Sequence, residues 1–289
     1  ETGSIGSKLI SFDHISGVAF TGSSATAKKI NLQLAKKDGP ISSLIAETGG
    51  LNAMFIDSSS LHEQVVDDIM RSSFNSAGQR CSALRLAIIH ESIFDDLVEM
   101  IKDAMAELTV GNPEDFHCDV GPIIDERSRN MLLEYISECS NNGYQVFSHN
   151  QAPDGNFVSP TLIELNSIDD INEEKFGPIL HVIKYKTDEL DQILNALKNK
   201  QYGLTMGVHS RIESKADDII NKSIAGNTYI NRDIVGAVVG SQPFGGTGLS
   251  GTGFKAGGPN YLLQFVDERS ITKNTVAFGG NAEILNLED

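Results

Sequence analysis

The chain reads as an α/β protein built on a largely parallel sheet, and three observations carry that expectation. Helical stripes and short apolar runs alternate along most of the sequence. No Pro- or Ser-rich linker separates them, and no internal repeat of solenoid or propeller length is present. Residues 236–258 differ, with many glycines and almost no periodicity, which predicts a long irregular loop of the kind that serves a site in compact domains.

The elements follow in order. Glu1-Thr2-Gly3-Ser4-Ile5-Gly6 reads as the tail of a glycine-rich phosphate turn leading into a short helix, although most such turns are only turns. A strand is expected over residues 17–20, then the turn Thr21-Gly22-Ser23-Ser24. Ala46-Glu47-Thr48-Gly49-Gly50 sets a carboxylate before a glycine pair, on the flank of a short apolar stretch. A strand over Ala53–Ile56 precedes Ser60-Leu61-His62-Glu63, which has the form of a capping box continued by Val65, Val66, Ile69 and Met70 at helical spacing. Residues 86–89 suit a buried strand. A clear helix begins near Ser92, with Phe94, Leu97, Val98, Ile101, Ala104, Met105 and Leu108 on one face, and ends before Gly111-Asn112-Pro113. Met131, Leu132, Tyr135, Ile136 and Cys139 form a stripe stopped by Asn141-Asn142-Gly143. Ile179–Tyr185 reads as a strand, Leu190, Ile193, Leu194 and Leu197 as a helix before Tyr202-Gly203, and Ala216, Ile219, Ile220 and Ile224 as another before Gly226. Residues 228–230 complete the strand set.

Composition narrows the function classes. At 289 residues, 40% hydrophobic and 21% charged, the chain can build one large or two modest cores. Its apolar runs fall far short of the roughly 20 residues that span a bilayer, and no basic-then-apolar leader opens it, so a cytoplasmic protein without a membrane span is expected. A net charge of −16, with 23 scattered Lys and Arg, argues against nucleic acid as a partner. Cys81, Cys118 and Cys139 form no CxxC pair and are odd in number, so reduced thiols are expected rather than disulfides or a metal site. The histidines form no constellation.

Phe74-Asn75-Ser76-Ala77-Gly78-Gln79-Arg80-Cys81-Ser82-Ala83 places one cysteine in a small, polar, glycine-containing turn ahead of an apolar run, where a working thiol would sit. The alternative for Cys81 is a buried structural thiol, the common fate of free cysteine, and that is the expectation for Cys118 and Cys139. With Glu47 available upstream, a thiol and a base are both present.

Phe20-Thr21-Gly22-Ser23, Glu47-Thr48-Gly49-Gly50, Gly78-Gln79-Arg80-Cys81, Glu174-Lys175-Phe176-Gly177-Pro178 and Pro243-Phe244-Gly245-Gly246 with Ser250-Gly251 resemble, in order and spacing, the aldehyde dehydrogenase superfamily. Gly226-Asn227-Thr228-Tyr229-Ile230-Asn231-Arg232 through Phe244 is similar to the glutamate-semialdehyde (1-pyrroline-5-carboxylate) dehydrogenases, and the tail from Arg269 looks like the C-terminal module of bifunctional proline utilization A proteins. The resemblance implies NAD-dependent oxidation of L-glutamate γ-semialdehyde to L-glutamate, with Cys81 as nucleophile and Glu47 as water-activating base. It implies cofactor contacts from Thr21, Gly22, Ser23, Gly49, Glu174 and Phe176. It implies that Ser82, Gly236 and Ala237 hold the substrate carboxylate and that Phe244 packs on its aliphatic chain. Arg232 competes for the carboxylate, or serves a structural ion pair. No metal is implied.

The implied organisation is residues 1–49 as the end of an NAD-binding domain, 50–249 as a catalytic thiol domain, and 250–289 as a return segment with an oligomerisation arm over 266–287. A homo-oligomer and an upstream proline dehydrogenase domain are the implied partners. The family's oxyanion-hole asparagine and its adenosine-ribose lysine belong to sequence preceding Glu1, so the chain is expected to be a fragment with little activity of its own. The competing readings are an incompetent assembly fragment, a dehydrogenase for another aldehyde, and a CoA-acylating relative, against which Glu47 counts.

Overall fold

A computed structural model describes residues 2–148, 152–238 and 240–274. The chain opens with α1 (Thr2–Ile10), β1 (Gly17–Thr21), α2 (Ser24–Ala35) and β2 (Ser43–Glu47). β1 and β2 pair in parallel around the α2 crossover, which sets Thr21 beside Glu47 at their C-terminal ends. The expected phosphate turn at the start is corrected: residues 2–6 are the first turns of α1. Glycine inside a helix costs about 1 kcal/mol relative to alanine. Ser7 Oγ ties α1 to α2 by donating to Gln33 Oε1 at 2.9 Å. The helix start that does follow a strand is α2, whose N-cap Ser23 Oγ accepts from the Thr26 N–H at 3.2 Å.

The larger unit contains β3 (Ala53–Ile56), α3 (His62–Phe74), β4 (Leu86–His90), α4 (Phe94–Ala106), α5 (Glu126–Asn141), β5 (Gln145–Phe147), β6 (Thr161–Glu164), β7 (Ile179–Tyr185), α6 (Leu190–Asn199), β8 (Tyr202–Gly203), β9 (Thr205–His209), α7 (Glu213–Lys222) and β10 (Asn227–Ile230). Seven strands form one sheet in the order β10-β9-β3-β4-β7-β6-β5. Its pairings are parallel except that of β5 with β6. Within the irregular loop, β11 (Thr247–Gly248) pairs antiparallel with β8.

Strands covered on both faces need no polar alternation, so their sequence is a continuous apolar run. Met54, Phe55 and Ile56 on β3 and Ala87, Ile88 and Ile89 on β4 are accordingly fully buried. Replacing Phe55 by alanine is expected to cost about 3–5 kcal/mol, read as a lower midpoint in chemical denaturation with an unchanged slope.

The capping box at Ser60 does not form. Leu61 occupies the N-cap position without a side-chain bond, and Ser60 Oγ is buried without a partner, because Ser60 belongs to a turn in which its N–H donates to the Asp57 carbonyl at 3.0 Å. The stripe from Phe94 starts one residue after a short 3₁₀ turn over Glu91–Ile93 and ends at Ala106, and Ile224 lies just beyond α7. No helix among the described residues is long and apolar enough to cross a membrane. Residues 275–287 of the expected arm lie outside the described residues.

Candidate active site

The loops that enter the central strands of the large sheet converge at one edge. Residues 47–52 precede β3, 78–85 precede β4, 173–178 precede β7, and Tyr202 lies just before β9. Doubly wound folds hold ligands beyond the carboxyl ends of their strands; here the large sheet offers its amino edge, and the small sheet faces it with its carboxyl edge and the N-terminus of α2. Between them lies a cavity of about 550 Å³. Thr21, Gly22, Ser23, Glu47, Gly49, Cys81, Glu174 and Phe176 all line it, joined by Ser24, Thr48, Glu173 and Tyr202, which the motif reading had not assigned.

The cysteine turn is made by an unusual backbone. Ser76 (φ 56°), Ala77 (φ 53°) and Gly78 (φ 65°) are successive left-handed residues, which only glycine adopts without strain. Gly78 is required twice, since a Cβ there would sit 2.1 Å from the Gly177 carbonyl oxygen. Asn52, buried, holds the turn from behind: its Nδ2 donates to the carbonyls of Cys81 (2.7 Å) and Ala83 (2.8 Å), and its Oδ1 accepts from the Thr205 N–H (3.1 Å). Burial pushes the Cys81 thiol above its ordinary pKa; the Glu174 carboxylate adds to this, the Ser82 and Cys81 N–H groups oppose it, and Glu47 adds a smaller push.

Glu47 ends β2 with its side chain between two glycine-rich strands of the loop. Oε2 accepts from the Gly246 N–H at 2.9 Å, while Oε1 is buried without a partner. A Cβ on Gly245 or on Gly251 would lie 2.9 Å from that oxygen, so the glycines make room for the carboxylate. Burial raises its pKa to about 7, against the pull of the Gly246 N–H and the Lys255 ammonium. A carboxyl in that range can accept a proton and release it near neutrality.

Glu174 lies opposite. Its Oε1 meets Arg85 Nη2 at 3.0 Å, and burial raises its pKa despite Arg85 and the Gly50 N–H. A Cβ on Gly49 would lie 1.6 Å from Glu174 Oε2. Gly49→Ala is therefore expected to expel the Glu174 carboxylate from its seat and to raise the KM for a ligand of this wall by about tenfold, one lost charge-assisted hydrogen bond, checked by steady-state kinetics. Phe176 presents an apolar ring to the cavity with 46% of its surface exposed.

The remaining expected site residues lie apart. Ser82 is buried behind the thiol, its carbonyl accepting from Thr205 Oγ1 at 3.3 Å. Gly236 (φ 72°) and Ala237 stand in the loop after β10, and Phe244 bridges to Ala256; none of these lines the cavity. Arg232 Nη2 lies 3.7 Å from Asp233 Oδ1, and its guanidinium 5.2 Å from the Tyr229 ring centroid. Cys139 is buried on α5, and Cys118 Sγ donates to the Gly111 carbonyl at 3.1 Å. Among the described residues no cluster of three or more His, Cys, Asp or Glu could hold a metal. Asn52 and Arg85 escaped the sequence reading because each looks like an ordinary residue at a strand entrance.

The aldehyde dehydrogenase family profile matches residues 1–271. The chain is 45% identical over 276 residues to bifunctional protein PutA of Klebsiella aerogenes, covering 92% of this chain and 21% of that protein. It is 34% identical over 278 residues to the 1-pyrroline-5-carboxylate dehydrogenase of Bacillus subtilis, covering 93% of this chain and 53% of that enzyme. A crystal structure of a mutant proline utilization A from Bradyrhizobium japonicum superposes with a TM-score of 0.91 at 49% identity, covering 96% of this chain and 28% of that one. The chain thus spans about half or less of these relatives. A thiol and a carboxyl sharing one cavity at the meeting of two largely parallel sheets, on a chain matched by that profile nearly end to end, place it in the aldehyde dehydrogenase family.

Proposed function

We propose that the protein containing this chain oxidises L-glutamate γ-semialdehyde to L-glutamate with NAD. The observation that carries the reading is the shared cavity of Cys81 and Glu47, in a chain similar to proteins named 1-pyrroline-5-carboxylate dehydrogenase. The cavity fits the nicotinamide end of a dinucleotide. The exposed Phe176 ring offers a stacking face, and the α2 N-terminus directs N–H groups suited to a diphosphate. Thr21, Gly22, Ser23, Gly49, Glu174 and Phe176 would hold it. When bound, the nicotinamide supplies the acceptor for the aldehyde's hydride.

The chain's own residues do the rest. Glu47, with its pKa near 7, takes the Cys81 proton. Cys81 Sγ then bonds to the aldehyde carbon, and after oxidation that carbon is held as a thioester. Glu47 gives that proton to solvent and then removes one from water; the hydroxide adds to the thioester carbonyl, the C–S bond breaks to release the acid, and Glu47 returns its proton to Sγ to restore the thiol. Ser82, Gly236, Ala237 and Phe244 are the residues we assign to the substrate's carboxylate and chain. The PutA relatives, described as bifunctional, support a proline dehydrogenase domain elsewhere in the parent protein. The exposed Leu262, Leu263 and Phe265 support a homo-oligomer contact.

The test is NAD binding by calorimetry and NAD reduction with glutamate semialdehyde, on this chain and on the full-length protein. Turnover by the full-length protein alone supports the fragment reading. Turnover by both refutes that reading, and turnover by neither overturns the assignment.

A further inference from the structure

The largest fully buried side chain among the described residues belongs to Arg85, the last residue before β4. A buried guanidinium is costly to desolvate, so its partners reveal what it is there to hold. Nη1 donates to the carbonyls of Gly78 (2.8 Å) and Gly177 (3.2 Å). Nη2 donates to the Arg80 carbonyl (3.1 Å) and to Glu174 Oε1 (3.0 Å). Two of these four acceptors lie in the cysteine turn and two in the turn of Glu174, and the guanidinium carbon sits 5.4 Å from the Phe176 ring centroid. The main chain of Arg85 is fixed as well. Its N–H donates to the Asn52 carbonyl at 2.9 Å, and its carbonyl accepts from the His181 N–H (2.9 Å) and lies 2.8 Å from His181 Nδ1.

We propose that Arg85 is a positioning residue that locks the cysteine turn to the Glu174–Phe176 turn, so that the thiol and the cofactor-facing wall of the cavity hold one fixed separation. The inference rests on the function proposed above. It follows from geometry: only a planar fork with several N–H groups can reach carbonyls on two turns and a carboxylate at once, which a lysine ammonium cannot. The neighbouring contacts do not duplicate it. Asn52 ties the cysteine turn to β9, and His181 reaches Tyr135 on α5 at 2.8 Å, so neither spans to Glu174.

The experiment compares the full-length protein with its Arg85→Lys, Glu174→Gln and doubly substituted forms, measuring the KM for NAD, kcat and the melting temperature. KM does not depend on what fraction of a preparation is folded, so a role confined to stability lowers kcat and Tm and leaves KM alone. The lock predicts that Arg85→Lys raises the KM for NAD at least tenfold. It also predicts that the double form is no worse than the worse single form, since both substitutions cut the same tie. An unchanged KM in a folded, active Arg85→Lys protein overturns the lock and leaves the function standing, as do strictly multiplicative effects on KM. Absence of NAD turnover in the unaltered protein overturns both.

Discussion

Cys81→Ala is expected to abolish aldehyde oxidation, by on the order of 10⁴-fold or more, as removal of a covalent nucleophile does, while the melting temperature and NAD affinity stay near those of the unaltered protein. The side chain is partly buried, and the turn is fixed through the Cys81 carbonyl and Asn52 rather than through the sulfur. Cys81→Ser is expected to be nearly as inactive. A hydroxyl is a far weaker acid and a poorer nucleophile than a thiol, and the burial and nearby carboxylates that already hold the thiol's proton disfavour an alkoxide there still more. The check is a progress curve for NAD reduction beside a calorimetric titration. Full activity in either variant overturns the nucleophile assignment, and alkylation followed by mass spectrometry identifies the modified thiol among Cys81, Cys118 and Cys139.

Glu47→Gln is expected to cost about 10²- to 10⁴-fold in turnover, the range for a positioned general base. If water attack on the thioester becomes the slowest step, one equivalent of reduced cofactor forms quickly and the acyl group remains on Cys81, visible as an added mass. In the unaltered protein the deacylation rate should climb with pH through about 7, as Glu47 loses its proton, and the glutamine variant should lose that limb. The same burial predicts a stability effect of opposite sense. Glu47's folded pKa lies above its unfolded value of 4.5, so its contribution to stability is fully present below pH 4.5 and is lost as pH rises through about 7. Above pH 7 the glutamine variant, which never carries that buried charge, is expected to melt at a higher temperature than the unaltered protein, though it is the poorer catalyst. A lower melting temperature there contradicts the electrostatic account.

Much of this arrangement was legible in the residues because burial on both faces of a parallel sheet demands continuous apolar runs. Ala53–Ile56 and Ile179–Tyr185 were read at their observed bounds. β9 was not read, because Thr205-Met206-Gly207-Val208-His209 breaks its apolar run with three residues that tertiary contacts select. Gly207 is there because Ile234 and Met54 crowd it, with a Cβ 2.7 Å from Ile234 Cγ2. α2 was missed because its buried face is only Ala27, Ile30 and Leu34 among polar neighbours. Within the cavity, local motifs found the residues whose spacing is a chain property. Arg85 and Asn52 act through partners tens of residues away, and no local pattern announces them. The glycine-rich loop over 236–258 lies between these cases, since its glycines were visible but the distance of Gly236 and Ala237 from the cavity was not.

The cysteine turn follows the C-terminal end of α3, where the Ser72 carbonyl accepts from the Leu84 N–H at 2.9 Å. That end of a helix carries the negative pole of its dipole. At Cys81, seven residues further on, burial and two nearby carboxylates favour the protonated sulfur. Peroxides consume thiolates, so a thiol that stays protonated is spared the climb through sulfenic to sulfinic acid. In the role proposed for Cys81, a permanently primed nucleophile is given up for durability, the sulfur staying chemically quiet until a carboxylate accepts its proton.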